Sequence, residues 1–322
     1  MTQFRYDNIT ELANSPYFLP QYLSGITAEV IREFKGLTDL LSVLPVRAGT
    51  VPFTFKDEVR QNILTIAPKV AEAQDTPTDQ MSWADQVFEA YEARFGYVFS
   101  SRNIAKAPVD LAARAARRIG QATANRCFFE CFKTFRQFDS MYGGGRFPAP
   151  ATKWSQAGSD PLGDIERVRV YIANLTGQGV TFMIMSASIN AQLSIHPDVT
   201  DTNRKTGAEF GEDGYLTKLK GMKIITIPEV TFVDPFGNAV PLYANVTTLD
   251  STVYSNYVIF GVGGPNLGYT AVVTGGGGDD RLAPLIEKET DLFNRRMGIM
   301  GYLEMVHVIQ DWYVMGVLNG VL

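Results

Sequence analysis

Apolar and polar positions divide the chain into blocks of different period. Residues 1–25 are polar, are interrupted by Pro16, Pro20 and Gly25, and read as an extended arm. Its aromatic residues Phe4, Tyr6, Tyr17, Phe18 and Tyr22 need a surface to bury them. Ile26, Val30, Phe34, Leu37, Leu40 and Leu41 then recur at helical spacing, with Thr27 as the expected N-cap and Pro45 as the stop. Val51, Phe53 and Phe55 alternate with Pro52, Thr54 and Lys56, a strand pattern, and a second extended stretch runs from Ile63 to Val70. Residues 72–82 are polar. Two strands joined by a polar connection predict a projecting hairpin, which alone is marginal in water and needs a second surface to lie on.

Residues 87–99 give the strongest strand signal. Val87, Tyr91, Ala93, Phe95, Tyr97 and Phe99 fall on one face, with Glu89 as the exception, and Ala90, Glu92 and Arg94 fall on the other. Residues 108–138 form the longest predicted helix. Pro108 suits its first turn, Asp110 complements the dipole there, and only Gly120 interrupts it before Gly143-Gly144-Gly145. Its length would be about 45 Å, long for a compact domain, where helices average about 11–12 residues. The segment 146–160, rich in Pro, Ala and Ser, reads as a loop and as the best domain boundary. An alternating pattern follows: helix 163–175, strand 180–185, helix 187–195, polar loop 197–214 and strand 222–227. Residues 229–274 read as short strands around a turn at Pro235-Phe236-Gly237-Asn238, and 275–280 as a flexible glycine loop. In 299–318, Leu303, Met305, His307 and Ile309 alternate with Glu304, Val306, Val308 and Gln310. This block is too apolar for a tail and must return to a core. No internal repeat is visible.

At 322 residues the chain has the length of two average domains, or of one with long extensions. Hydrophobic residues at 45% and charged residues at 20% are those of a folded globular protein with a sizeable core. No run of eighteen apolar residues exists, and Met1–Asp7 lacks a signal pattern, so the expectation is cytoplasmic synthesis and no membrane partner. Two cysteines exclude a disulfide scaffold and a four-thiolate zinc site, and suit a reducing compartment.

Little in the sequence supports catalysis. Cys127 and Cys131 share one helix face but have no further Cys or His nearby, so they read as small buried hydrophobes. His196, before Pro197, reads as a cap at a helix C-terminus, and His307, mid-strand, as a packed or interface residue. There is no Gly-x-Ser-x-Gly elbow. The stretch Gly261–Gly268 fails the dinucleotide fingerprint because Asn266 stands at the third glycine position. Asp198, Asp201 and Asn203 lack calcium-loop spacing. We therefore expect no catalytic residue, cofactor or metal, and no enzyme activity.

Charge is the informative feature. Between Lys106 and Arg136 stand seven basic residues, Lys106, Arg114, Arg117, Arg118, Arg126, Lys133 and Arg136, against Asp110 and Glu130, a net of +5. The whole chain carries −5, so the remainder carries −10. Arg114, Arg117, Arg118 and Arg126 form a candidate basic face. It is either a solvated face paired to a neighbouring subunit or a contact for nucleic-acid phosphates, which requires charge and no base readout.

The order of the pieces resembles the major capsid proteins of tailed phages and related viruses, the Hong Kong 97 phage-type shell fold. The layout matches over roughly 26–322. Three phrases look familiar: Phe95–Arg102 at the entry to the long helix, Met183–Ser188 leading to His196-Pro197-Asp198, and Gly214–Ile224. The resemblance implies an α+β fold with an N-terminal arm and short helix (1–45), an extended hairpin or E-loop (46–86), a peripheral P-domain (87–150 with 285–322) whose spine helix is 108–138, and an axial α/β A-domain (151–284). It implies a structural protein that self-assembles into hexamers and pentamers of an icosahedral shell around double-stranded DNA. The partners would be other copies, portal and scaffolding proteins and decoration proteins. The location would be the virion, assembled in the host cytoplasm. Val51, Phe53, Phe55, Lys56 and Lys69 would belong to the inter-subunit hairpin. Loops 197–214 and 275–280 would lie near the symmetry axes. Some members cross-link subunits by a lysine–asparagine isopeptide bond assisted by a glutamate; Lys56 or Lys69, Asn319 and Glu304 would be the groups here. Other members begin with a scaffolding segment that is cleaved away; with Met1 so close to the arm, a separate scaffold is expected. The rival readings are an encapsulin-type cargo compartment of the same fold and an α/β enzyme using a pocket between residues 160 and 275.

Overall fold

Proline opens four of the five described helices: α1 (Pro20–Glu33), α2 (Pro108–Met141), α3 (Pro161–Thr176) and α5 (Pro197–Thr200). Its fixed φ and missing N–H carry no penalty in a first turn. The fifth, α4 (Ala187–Ser194), is capped by Ser186, whose hydroxyl accepts from the Ile189 N–H. The computed structural model describes residues 20–33, 36, 40–45, 53–58, 83–88, 90–100, 108–141, 147–201, 206–227, 231–233, 239–241, 257–265, 267–274, 284–291 and 296–322. The strands are β1 (Ser42–Pro45), β2 (Phe53–Glu58), β3 (Trp83–Phe88), β4 (Tyr91–Ser100), β5 (Phe182–Ser186), β6 (Glu209–Phe210), β7 (Leu216–Leu219), β8 (Met222–Ile227), β9 (Thr231–Val233), β10 (Ala239–Pro241), β11 (Tyr257–Gly261), β12 (Gly268–Thr274), β13 (Leu285–Asp291), β14 (Arg296–Ile309) and β15 (Met315–Asn319). The fold is α+β.

One sheet is organised by β14. Its first half pairs with β13 on one side, its second half with β12 on that same side, and β4 runs along the other. β1 joins parallel to β12. The inner face of this sheet, carrying Phe99, Met297, Ile299 and Ile286, receives Ala112, Ala115, Ala116 and Ile119 of α2 together with Leu23 of α1. Small side chains let the helix come close. Gly301 of β14 sits directly under it: a Cβ there would lie 2.5 Å from Ile119 Cγ2 and 3.1 Å from Ile286 Cδ1.

The second sheet has the order β15-β11-β5-β8-β7-β6. β5 is buried along its whole length and pairs parallel to β8, so it reads as a continuous apolar run rather than an alternation. Asn190 of α4 is fully buried and bridges to β7 and β8. Its Nδ2 donates to Leu216 O and Thr226 Oγ1, and its Oδ1 accepts from the Leu216 N–H. The largest core fills this region. Cys131, Phe132 and Phe135 from the C-terminal half of α2 enter it, Phe135 meeting Phe182 edge-on with ring centroids 6.1 Å apart. The 34-residue helix, about 50 Å long, therefore serves both sheets.

Several expectations are corrected. The first helix starts at Pro20, inside the expected arm, so Thr27 is a buried mid-helix residue and no cap; Leu40 and Leu41 lie outside it, in the main core. Pro45 closes β1, whose pairing with β12 takes residues that helical spacing had claimed. The return strand of the hairpin is β3, since Phe53–Glu58 pairs with Trp83–Phe88; Ile63–Val70 and residues 275–280 lie outside the described residues. The segment 147–160 is irregular but no free linker. Trp154 is 1% exposed, its Nε1 donates to Asp164 Oδ2, and its N–H donates to Val321 O. The last apolar block is two strands in different sheets. A 3-10 turn, Trp312–Val314, capped by Asp311, turns β14 into β15. Residues 268–274 join the sheet of β14, and 315–319 join the sheet of β5, so the chain passes between layers more often than the sequence division allows. Within 197–214, expected as a loop, α5 and β6 form.

Replacing Gly301 should separate helix from sheet. Gly301→Ala should lower the urea midpoint of the unassembled subunit, and Gly301→Val should lower it further, by about 2–3 kcal/mol of stability, despite valine's strand preference.

Candidate assembly and nucleic-acid surfaces

The covered face of α2 rotates along its length, and this sorts its charges. In the first half Arg114, Arg117 and Arg118 are exposed, opposite the alanines that meet the sheet. Among the described residues none of the three has an ion-pair or hydrogen-bond partner. Arg114 faces both Arg117 and Arg118 at i,i+3 and i,i+4 spacing, each pair repelling by a few tenths of a kcal/mol, and no described acid relieves them.

Arg126 behaves differently. It lies roughly a third of a turn around the axis from that trio at about 100° per residue. Its guanidinium pairs with Glu130 at 2.5 Å and sits 5.8 Å from the centre of the Tyr91 ring. Lys133 also approaches Glu130, at 3.7 Å. The structure thus divides the expected four-arginine face into a trio without partners among the described residues and an internally compensated residue. Lys106 lies outside the described residues, as does the side chain of Arg136.

A second surface is the outer face of the sheet around β14. Glu92, Arg94, Gly96, Val98 and Ser100 of β4 are exposed and face Glu304, Tyr302, Met300, Gly298 and Arg296 of β14. Val98 is 69% exposed, and Leu285 on β13 is 45% exposed. Arg94 pairs with Glu92, and the Tyr302 hydroxyl donates to Glu287. No described helix covers this face.

Of the other expected site residues, Phe53, Phe55 and Lys56 lie on β2 of the hairpin, and Val51 and Lys69 lie outside the described residues. Glu304 is on β14 and Asn319 ends β15, in different sheets, and Asn319 is exposed. His196 caps the N-terminus of α5 rather than the end of α4. Its Nδ1 accepts from the Asp198 N–H, which leaves Nε2 to donate to Ser159 Oγ at 3.1 Å. Proline at 197 makes this possible by starting a new helix at once.

His307 is buried with both ring nitrogens engaged, by the Tyr91 hydroxyl at 2.9 Å and Thr270 Oγ1 at 3.1 Å. Burial holds its pKa down at about 4. Both cysteines are buried and free. Burial pushes Cys127 up to about 12 and Cys131 well above the usual thiol value, so neither is a thiolate at neutral pH. No group of three or more His, Cys, Asp or Glu side chains forms a metal site among the described residues. Sequence reasoning missed the polar role of Tyr91, which alternation alone had placed on an apolar face, and the buried Trp154–Asp164 and Asn190 contacts.

No family model matches the sequence, and no curated protein does. Solved structures do match the fold. The capsid of cyanophage P-SCSP1u superposes with a TM-score of 0.58 at 11% identity, over 87% of this chain and 86% of that one. A phage-related protein from Bordetella bronchiseptica RB50 gives 0.57 at 16% identity, over 92% and 96%. The virus-like particle from Pyrococcus furiosus gives 0.54 at 11% identity, over 95% and 100%. The chain has the fold of phage capsids, in agreement with the resemblance drawn from its sequence.

The two halves of α2 should respond differently to mutation. Replacing Arg114, Arg117 and Arg118 together by alanine should leave the thermal midpoint nearly unchanged, each exposed site contributing within about ±0.5 kcal/mol. Glu130→Ala strands two cations and should cost about 1 kcal/mol. Calorimetry on the unassembled protein compares them.

Proposed function

We propose that this chain is the subunit of a closed protein shell: it self-assembles into hexamers and pentamers of an icosahedral capsid that encloses double-stranded DNA. The observation that carries this reading is the fold shared with the cyanophage capsid over nearly nine-tenths of both chains. Such a subunit is structural and not an enzyme. The hairpin 46–86 would lie on a neighbouring subunit, with Val51, Phe53, Phe55, Lys56 and Lys69 in that contact. Residues 87–150 with 285–322 would form the peripheral unit and 151–284 the axial one, with 268–274 and 315–319 exchanged between their sheets. The α2 trio Arg114, Arg117 and Arg118 would face the packaged DNA, where phosphates supply the anions that the described residues lack. Portal, scaffolding and decoration proteins would be further partners, the virion the site of action and the host cytoplasm the site of assembly. A lysine–asparagine cross-link through Lys56 or Lys69, Asn319 and Glu304 belongs to the same proposal.

A second reading is favoured by the match to the Pyrococcus furiosus virus-like particle, which covers that chain completely: an encapsulin-type shell that holds cargo protein in place of a genome.

Electron microscopy of the purified protein, with and without its scaffold, should show closed shells tens of nanometres across. Only small oligomers in both preparations would overturn the shell reading. Shells that hold protein cargo and no nucleic acid would transfer the case to the second reading. If the trio faces DNA, R114A/R117A/R118A shells should form normally but retain less DNA. The salt dependence of DNA binding by free subunits should also flatten by about three in log–log slope. An unchanged slope would exclude the trio from DNA contact.

A further inference from the structure

We propose that the contacts around His307 form an acid-sensitive latch: at neutral pH they clamp the second half of β14 to β4, β12 and α2, and protonation of the imidazole releases that clamp. The placement is the first support. One fully buried imidazole is held by a hydroxyl from β4 (Tyr91) and a hydroxyl from β12 (Thr270). Tyr91 also packs against Cys127 of α2 and lies against the Arg126 guanidinium. Three strands and the helix therefore meet at this ring. They meet where α2 changes its covered face, between the alanine cluster of its first half and the Cys131–Phe135 cluster of its second.

The surrounding charges determine what a proton does there. Tyr91 from β4, Thr270 from β12, and Cys127 and Cys131 from α2 are all neutral around pH 7; burial holds Tyr91 and both thiols above their usual values. Arg126 already places a cation against Tyr91. Glu130, the acid nearest this group on α2, is shared by Arg126 and Lys133. Glu304 of β14 occupies the alternate register, on the face opposite to Leu303, Met305 and His307. An imidazolium would thus form beside a cation with no carboxylate of its own.

Burial moves the histidine pKa from 6.5 to about 4, opposed in part by the Cys127 backbone as an acceptor that favours the charged ring. The folded value lies below the ordinary one, so the clamp is at full strength above pH 6.5 and weakens as pH falls, levelling off below pH 4. If the released histidine titrates normally, the opening constant rises roughly 300-fold over the whole window, and roughly 20-fold between pH 7 and pH 5.

Hydrogen exchange read by mass spectrometry on the full-length protein tests this. After correction for intrinsic exchange, amides of 303–309, 91–94 and 124–132 should open roughly 20-fold more often at pH 5 than at pH 7. Amides of β5 and β8, and those around the other histidine at 194–201, should hold. His307→Gln, neutral at every pH and still able to donate and accept, should abolish the rise, with His307→Met as the non-titrating alternative if the glutamine variant does not fold. No pH-dependent opening in the wild type would overturn the latch. So would an equal rise in a non-titrating variant, or a rise spread evenly over the whole chain.

Discussion

The structure depends on one helix having two seats. α2 must place its alanines against the glycine of β14 and then, one covered face further round, its Cys131–Phe135 stretch in the main core. A straight helix can do this only if the two apolar sets differ in azimuth, and they do. Burial at both ends fixes the helix about its axis. The exposed arc of each half follows, and with it the separation of the exposed arginine trio from the compensated Arg126. The charge pattern on the surface is thus a consequence of packing beneath it.

The two sheets differ in how they meet solvent. β5 and β8 are covered by helices and carry apolar side chains at nearly every position, whereas β4 alternates strictly and leaves one face open. The open face carries Val98 and Leu285, and two paired strands such as β2 and β3 are marginal in water without a further surface. In the proposed shell, neighbouring copies would supply that contact.

Local pattern made much of this legible. The strict alternation at 91–99 marks β4, and the long run free of Pro from 108 marks α2. The apolar block at 182–185 followed by Ser186 marks a strand leading into a capped helix. Non-local pairing stayed hidden. Leu40 and Leu41 fit a helical period equally well, and only the approach of β12 makes the adjoining residues a strand. The return strand of the hairpin lies beyond the more apolar Ile63–Val70, so hydrophobicity pointed to the wrong segment. Asp311 ends β14 by capping a single tight turn, too brief a signal to read as a boundary. At the candidate surfaces the basic residues were visible as a cluster, but which of them face a partner depended on Glu130 and on the helix azimuth. Tyr91 reads as apolar in any alternation; its hydroxyl matters only because His307, 216 positions away, arrives beside it.

That distance also bears on synthesis. The central strand of the first sheet, β14, is made about 200 residues after the strand and helix it holds together. At about 5–20 residues per second a ribosome needs on the order of 10–40 s to cover that interval. Throughout it the nascent chain carries β4 and the alanine side of α2 without the strand that both pack against. The sheet around β14 therefore does not exist on a chain that lacks this strand. The pairing order is thus a topological timer that sets completion of this layer long after β4 and α2 have been made.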